Sequence, residues 1–373
     1  MTLSKQLFTH ISSKGQLEVS LQEIEIPEPS SNQVLVRIDA APINPSDMWP
    51  MFGPANLANA ELNVEKNLLI APVHEQILPR IKSRLDQTLP IGNEGAGVVV
   101  AAGNSEAAQA LIGKTVGVLT GSMYAQYCLV PAQACLPHKD GVTPRQAASS
   151  FVNPLTALSM VENMRMEGHT ALVHTAAASS LGQMLNRICI AQDIALVNIV
   201  RNQEQAGILK EMGATIICDS SSATFHKDLY QAIEKTGATL AFDAIGGGQL
   251  ASDILTAMEA VGTKDIEGFN TYGSELNKQI YVYGGLDMGP TTLNRAYGMT
   301  WSISGWLLNR FLARLTPERM GQLRKQVADE INTTFASDFT DEISLQQALE
   351  PATILKYNAK KTGEKFLINP SKK

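Results

Sequence analysis

From Ala171 onward, short apolar runs alternate with amphipathic stretches, and this alternation constrains the fold more than any other feature of the chain. Ala171-Leu-Val-His174 reads as a buried strand, the stretch to about Gln192 as a helix, and Ile194-Ala-Leu-Val-Asn-Ile-Val200 as a second strand. A helix to Met212, stopped by Gly213, leads to the strand Ala214-Thr-Ile-Ile-Cys218. Asp228 to Thr236 is the next helix, ended by Gly237, before Ala238-Thr-Leu-Ala-Phe242. After a helix near Ser252 to Ala260 comes Gln279-Ile-Tyr-Val-Tyr283, closing in Gly284-Gly285. Buried strands joined by crossover helices predict an α/β region with a doubly wound parallel sheet. Beyond it, Thr316-Pro317-Glu318 reads as an N-cap, first-turn proline and acid opening a helix to about Ile331. Lys365-Phe-Leu-Ile-Asn369 reads as a tail strand.

The first part of the chain is built differently. Val34-Leu-Val-Arg-Ile38, Gly97-Val-Val-Val-Ala101, Thr115-Val-Gly-Val-Leu119 and Tyr124-Ala-Gln-Tyr-Cys-Leu-Val130 are short β-type runs among Gly and Pro, the pattern of a mostly β domain. Residues 54 to 89 interrupt them with a polar segment holding Lys66, Arg80, Lys82 and Arg84, which is expected to be partly helical. A chain of 373 residues agrees with two domains at roughly 150 residues each. With 44% hydrophobic and 18% charged residues, intrinsic disorder is excluded as the main state. A net charge of −6 without a long basic run argues against nucleic-acid or anionic-membrane partners. The longest charge-free stretch, between Glu167 and Arg187, is too polar for a membrane span. The amino terminus lacks an apolar signal core, so a cytoplasmic location is expected. Cys128, Cys135, Cys189 and Cys218 form no C-x-x-C pair and read as reduced core residues; the six histidines show no ligand spacing.

Ligands of doubly wound sheets bind beyond the carboxyl ends of the strands, which directs attention to the first strand-to-helix turn. That turn is Thr175-Ala-Ala-Ala-Ser-Ser-Leu-Gly182, and G-x-G-x-x-G survives in it as Ala177-x-Ser179-x-x-Gly182. Small residues still let backbone N–H groups approach a pyrophosphate at the helix N-terminus, which makes Ala178, Ser179, Ser180, Leu181 and Gly182 candidate cofactor-binding positions. The alternative is an ordinary helix start capped by serine. The end of the second strand discriminates. NAD-binding folds place Asp or Glu there for the ribose hydroxyl, whereas this chain has Arg201 followed by Asn202, with Gln205 close by. A guanidinium pairs with a 2′-phosphate, so the expected cofactor is NADPH; a solvated surface charge is the competing reading of Arg201.

Taken together, several ordered stretches resemble the medium-chain dehydrogenase/reductase superfamily, in its zinc-free quinone oxidoreductase and enoyl reductase branch. They are Val34-Leu-Val-Arg-Ile-Asp-Ala-Ala-Pro-Ile-Asn-Pro-Ser-Asp47, Gly92-Asn-Glu-Gly-Ala-Gly-Val98, Phe151-Val-Asn-Pro-Leu-Thr-Ala157, the 174–182 turn, Asp243-Ala-Ile-Gly-Gly247 and Tyr283-Gly-Gly285. The resemblance implies an α/β protein with a GroES-like, mostly β catalytic domain (1–150 and 317–373) and a Rossmann nucleotide-binding domain (151–316). Alcohol dehydrogenases of that superfamily hold zinc through a Cys and a His where this chain has Ser46 and Asn93, so no metal is expected. Glu94 is then expected to be a buried carboxylate bonded to nearby backbone.

Without a Lewis acid, quinones and conjugated enones are the expected hydride acceptors. The resemblance makes Asn44 the candidate catalytic residue, orienting the nicotinamide or donating to a developing oxyanion; a turn residue before Pro45 is the alternative. It carries over Asn153, Thr156, Ala244, Ile245, Gly246, Tyr283, Gly284, Leu286 and Lys365 as cofactor-binding positions, each with simple packing as its alternative. Enoyl thioester reductases of this kind add a Tyr acid shortly after the Asn segment, but Met48-Trp-Pro-Met-Phe-Gly53 has none, and Trp49 either stacks on a flat acceptor or joins the core. Residues 261–278 are an insertion of the kind that carries specificity, with Tyr272 expected to fill a local gap. Enoyl thioester reduction, and cofactor binding without turnover in a crystallin-like or nucleic-acid-binding protein, remain as other functions. Met299-Thr-Trp-Ser-Ile-Ser-Gly-Trp-Leu-Leu308 is an apolar edge run that needs a cover; the resemblance implies the same strand of a second subunit, in a homodimer, with burial against the helix from Thr316 as the alternative.

Overall fold

A computed structural model describes residues 1–268 and 270–372; Phe269, within the 261–278 insertion, and Lys373, at the end of the tail, lie outside the described residues. The chain divides into two units, one of residues 1–152 and 324 onward, the other of residues 153–323.

In the first unit, short β-type runs build two sheets, antiparallel except where Asp341–Ile343 pairs parallel with Phe366–Ile368. Thr2–Ile11 and Gln16–Ile26 pair along their whole length, from Thr2↔Ile26 to Ile11↔Leu17, and bury Leu7, Ile11, Leu17 and Val19. Segment 54–89 extends this sheet rather than forming α-helix: Leu68–Pro72 pairs with Gln16–Ile26, Glu61–Asn63 pairs with Leu68–Pro72, and Thr88–Pro90 closes the other edge. Its helical content is confined to the 3₁₀ turns Leu57–Asn59 and Glu75–Arg84, the latter broken at Ile81 and carrying Pro79. Leu69 and Ala71 are buried while Leu68 and Ile70 are only partly so, a period of two that the polar flanks obscure in the sequence.

The second sheet runs Leu136–Pro137, Thr115–Leu119, Glu94–Ala102, Gln33–Pro42, Phe366–Ile368, Asp341–Ile343, with Tyr127–Pro131 also on Gln33–Pro42. The tail strand joins it antiparallel through Leu367↔Pro42 and Ile368↔Ala41. The expected strand from Tyr124 begins only at Tyr127, because Tyr124 turns inward, fully buried, and its hydroxyl donates to the Pro42 carbonyl at 3.2 Å. Leu7, Leu17, Val36, Ile38, Val118 and Ile368 share one core between the sheets.

In the second unit the elements are β1 (Ala171–His174), α1 (Ser180–Ala191), β2 (Ala195–Val200), α2 (Gln203–Glu211), β3 (Ile217–Asp219), α3 (Phe225–Thr236), β4 (Leu240–Asp243), α4 (Leu250–Thr263), β5 (Lys278–Val282) and β6 (Trp301–Gly305). All neighbours are parallel, in the order 3-2-1-4-5-6. This is the doubly wound order whose direction reverses between β1 and β4, where such sheets bind ligands. Strand β3 starts three residues later than its apolar run, since the Ala214 N–H is still closing the end of α2 on Leu209 after Gly213 at φ +88°. Gly237, in the left-handed region at φ +65°, ends α3 as expected. The Thr316 hydroxyl accepts from the Arg319 N–H at the start of Pro317–Asp329. Among the described residues no helix is long and apolar enough to cross a membrane, and the four cysteines are buried and unpaired.

Candidate functional site

The turn from β1 to α1 is held in a strained shape. Ala176 adopts φ +52°, a left-handed conformation that costs a non-glycine residue about 1–2 kcal/mol. The Ala177 N–H donates to the Ile199 carbonyl and the Ser179 N–H to that of Ala176, while the Ser179 hydroxyl accepts from the Gly182 N–H. A Cβ on Gly182 would lie 2.2 Å from the Ala177 carbonyl oxygen, so only glycine permits this approach of helix to turn. Among the described residues the N–H groups of Ala178, Ser180 and Leu181 have no hydrogen-bond partner, at the positive end of α1. Ala177 and Ala178 pack on Val200, Ala206 and Leu209, bringing the turn against the end of β2.

Arg201 follows β2, exposed, its guanidinium without a hydrogen-bond or ion-pair partner among the described residues. Its backbone N–H donates to the Gln205 side chain, and Asn202 caps α2 by accepting from the Gln205 N–H. The amide oxygen of Asn202 and the side chain of Gln205 are thus engaged in holding the loop.

The ends of β4 and β5 meet over one buried carboxylate. Asp243 accepts from the Thr175 hydroxyl at 2.7 Å and from the N–H groups of Ile245 and Gly246, and Thr175 in turn accepts from the Ala244 N–H. The Tyr283 N–H donates to the Asp243 carbonyl and the Leu286 N–H to that of Ala244, while a Cβ on Gly284 would sit 2.6 Å from the Ala244 oxygen. Ala244, Ile245, Gly246, Tyr283, Gly284 and Leu286 are therefore gathered at one place, at the carboxyl ends of the strands. Beneath them His174 Nε2 and the Tyr283 hydroxyl lie 2.8 Å apart; burial pushes His174 down to about 3 and raises the Tyr283 phenol. Asn153 and Thr156 are buried on the first turns of Val152–Met166.

The first unit carries a separate polar cluster. Glu94, fully buried, accepts from the N–H groups of Phe151 (2.9 Å) and Val152 (3.0 Å) with Oε2 and from Asn44 Nδ2 (2.9 Å) with Oε1. It is the buried, backbone-bonded carboxylate expected from the sequence, placed at a helix N-terminus where its charge is favoured. Asp47 accepts from the N–H groups of Asn44 and Asn93, and Tyr124 faces it. Lys365 donates to Ser149 at 2.8 Å and lies over the Phe339 ring, both in this unit. Burial raises Asp47 to about 7 and lowers Lys365 to about 8, and it raises Glu94 against the pull of the Val152 N–H and the Lys365 ammonium. Asn44 Oδ1 is buried without a partner.

Sequence reading missed Asp47, Tyr124, Ser149 and the electrostatic influence of Lys365 on Glu94. Only Asp47 left a signal, in Asn44-Pro-Ser-Asp47, where an acid three residues into a turn reaches back to the first N–H. Asn93 Nδ2 donates to Ser46 Oγ at 3.1 Å, a hydroxyl–amide pair with the chemistry of neither thiolate nor imidazole. Among the described residues no three or more His, Cys, Asp or Glu side chains are grouped to hold a metal. Trp49 is 53% exposed and so does not belong to the core. Tyr272, 71% exposed, fills no gap, which corrects the expectation: the insertion is anchored instead by Glu259, Ser274 and Lys278, with Lys278 Nζ 2.7 Å from Glu259.

No protein-family model matches the chain. It is 28% identical over 262 residues to the "Probable quinone oxidoreductase" of Schizosaccharomyces pombe, covering 69% of this chain and 70% of that one. It is 25% identical over 374 residues to prostaglandin reductase-3 of Mus musculus, covering 97% and 88%. A crystal structure of a "putative NADPH:quinone reductase" from Mesorhizobium loti superposes with a TM-score of 0.72 at 25% identity, over 99% of this chain and all of that one. The 3-2-1-4-5-6 sheet, the sheet completed by the tail strand and this likeness over nearly the whole chain agree with the resemblance to the quinone oxidoreductases and enoyl reductases of the medium-chain dehydrogenase/reductase superfamily.

Proposed function

We propose that this protein is an NADPH-dependent oxidoreductase that passes hydride to a quinone or to the activated C=C of an α,β-unsaturated carbonyl compound without zinc, the proton coming from solvent or from an unidentified donor. The observation that carries the reading is the β1–α1 turn: N–H groups of Ala178, Ser180 and Leu181 open at a helix N-terminus, followed at the end of β2 by the unpaired Arg201. That combination suits a pyrophosphate and a 2′-phosphate. The relatives' names supply the reaction class.

NADPH, when bound, supplies the hydride; the chain binds and orients it. In this reading Ser179 and Gly182 shape the turn that receives the pyrophosphate, and Arg201 with the Asn202 amide N–H group receives the 2′-phosphate. Ala244, Ile245, Gly246, Tyr283, Gly284 and Leu286 receive the ribose and nicotinamide end, with Asn153, Thr156 and Lys365 completing the set. Asn44 meets the nicotinamide ring. The proposed division assigns catalysis to residues 1–150 and 317–373 and nucleotide binding to 151–316. Buried, unpaired cysteines suit a reducing cytoplasmic setting.

The proposal extends to a homodimer. Strand β6 pairs with β5 from Lys278↔Trp301 to Val282↔Gly305, its other edge carries no strand among the described residues, and Met299 and Leu307 beside it are exposed. Light scattering at micromolar concentration is expected to give twice the chain mass, and a fully active monomer would count against it.

Loss of NADPH absorbance against a panel of quinones, enones, enals and an enoyl thioester tests the function. Turnover with the first three classes is expected. Tight NADPH binding with no acceptor reduced would replace the enzyme by a cofactor-binding protein, and preference for the thioester would move it to enoyl thioester reduction.

A further inference from the structure

The second unit carries a small polar cavity that the proposed reaction does not use. Two short strands, Gly246–Gly248 and Asp287–Thr291, pair parallel through Gly246↔Asp287 and Gly248↔Thr291, and the Thr292 N–H closes their end on the Gly248 carbonyl at 2.8 Å. Just beyond them, Gln249, Thr292 and Asn294 meet Ser252 and Asp253 of α4 around a cavity of about 70 Å³, so every lining residue is polar. Asp253 is partly buried, which raises its pKa, and its carboxylate has no hydrogen-bond or ion-pair partner among the described residues. The Gln249 amide and the Thr292 hydroxyl have none either. Ser252, buried, forms the inner wall, its hydroxyl accepting from the Asn294 N–H at 3.2 Å. Asn294 Oδ1 accepts from the Ala296 N–H at 2.9 Å while Nδ2 turns to Thr256; a carbonyl oxygen has two lone pairs, so one is left. Neutral acceptors thus surround one unmatched negative charge. His226 acts on that charge from a distance and favours the ionised carboxylate, without forming an ion pair with it.

We propose that this cavity binds a monovalent metal cation, sodium or potassium, through the Asp253 carboxylate and the neutral oxygens of Gln249, Thr292 and Asn294. Hard cations take oxygen ligands, carboxylate and amide carbonyl among them, and the number of charged ligands sets which ion is held. One carboxylate balances one positive charge and leaves a divalent ion under-compensated. A volume of about 70 Å³ holds an ion and a water, whose share of liquid volume is about 30 Å³, and excludes a larger organic cation. The N-terminus of α4 favours the Asp253 charge and opposes the ion, which keeps the affinity in the millimolar range. The ligands come from the chain just after each short strand and from the start of α4, so a bound ion ties together the two loops that leave β4 and β5.

The test is thermal unfolding of the full chain in sodium, potassium and choline chlorides at equal ionic strength and about pH 8, above the ordinary histidine range. With a dissociation constant of about 10 mM, about 0.2 M sodium or potassium is expected to raise the midpoint by about 2–5 °C over choline, which is too large for the cavity. Equal midpoints in the three salts overturn the proposal. Asp253→Asn keeps the shape, removes the charge and is expected to abolish the difference between metal and choline. A difference that persists undiminished in this variant places the ion elsewhere and overturns the proposal. Gln249→Glu, at an exposed position, adds a second carboxylate and is expected to bind calcium about tenfold more tightly than the wild type in a calorimetric titration. Unchanged calcium affinity removes Gln249 from the ligand set and overturns the site as drawn. Broadening of the sodium-23 resonance by the wild-type chain, reversed by potassium, reads the ion directly and decides the matter even if Asp253→Asn does not fold; an unbroadened line overturns the proposal. None of these measurements uses a dinucleotide or an acceptor, so their outcome is separate from that of the proposed function.

Discussion

The dinucleotide turn of one unit and the polar cluster of the other solve opposite problems. Around Ala176–Gly182 the groups on offer are backbone donors, and Arg201, at the end of β2, stands in solvent. Around Glu94 the carboxyl groups are interior, and each carboxylate oxygen of Glu94 and Asp47 has a named donor. An anion-binding turn has to stay open until its ligand arrives, so it uses weak partial charges that remain tolerable when unpaired. Buried carboxylates cannot be left open, since each unsatisfied lone pair is costly in a low dielectric. The exception in the cluster is Asn44 Oδ1, a neutral amide oxygen.

Acidity separates the two regions most strongly. In the nucleotide unit, His174 is held neutral with its pKa lowered to about 3, so between there and its unfolded value near 6.5 the unfolded chain binds the extra proton and stability rises with pH. In the other unit Asp47 is raised to about 7, so between about 4 and 7 the folded chain binds the extra proton and stability falls as pH rises. Acidifying from pH 6.5 to 4 is expected to take on the order of 3 kcal/mol from the His174 contribution, and His174→Gln should remove that dependence. Asp47→Asn should remove the opposite one. Urea unfolding of the three proteins across this range checks both signs, and equal slopes in all of them would erase the contrast.

Closing the turn is the next largest perturbation. Gly182→Ala places a methyl group against the Ala177 carbonyl, where the gap is 2.2 Å, and is expected to cost about 1–3 kcal/mol of stability and weaken NADPH at least about tenfold. Thermal unfolding and a binding titration measure the two together. An unchanged affinity would show that the turn does not receive the cofactor.

A smaller effect, confined to selectivity, is expected from Arg201→Ala. The exposed guanidinium has no internal partner, so unfolding should be unaltered while the preference for NADPH over NADH, about 1–3 kcal/mol, is largely lost. Equal affinities for the two cofactors in the wild type would refute the assignment. Least of all should change on chelation: with Ser46 and Asn93 bonded to each other, activity is expected to be indifferent to it, and elemental analysis to give no stoichiometric zinc. One zinc per chain would overturn that expectation.

Local chemistry made the nucleotide unit legible. Apolar runs of four to seven residues, glycines at positive φ after α2 and α3, and the Thr316 cap are short-range signals, and each strand and helix of the 171–283 stretch lies within a few residues of where its pattern puts it. Attention to the turn at 175–182 followed from the same reasoning, because a parallel sheet brings its carboxyl ends together whatever the side chains are, whereas the residues at the ends of β4 and β5 were named by the family resemblance. Segment 54–89 was not legible. Its strands are short and polar-flanked, and they are strands because Gln16–Ile26 offers an open edge, a partner about 50 residues away in sequence.

Composition, periodicity and turn residues thus determined the class of each half, the crossover pattern and the position of the β1–α1 turn. The three-dimensional structure alone decided the order 3-2-1-4-5-6, the sheet built by 54–89 and the cluster uniting Asn44, Asp47, Glu94, Ser149 and Lys365. The reason is range. Helix periods, caps and turns are written within one or two turns of chain, whereas Lys365 meets Ser149 across 216 residues and Glu94 meets Asn44 across 50. A buried charge acquires its partners only when the whole core has closed around it.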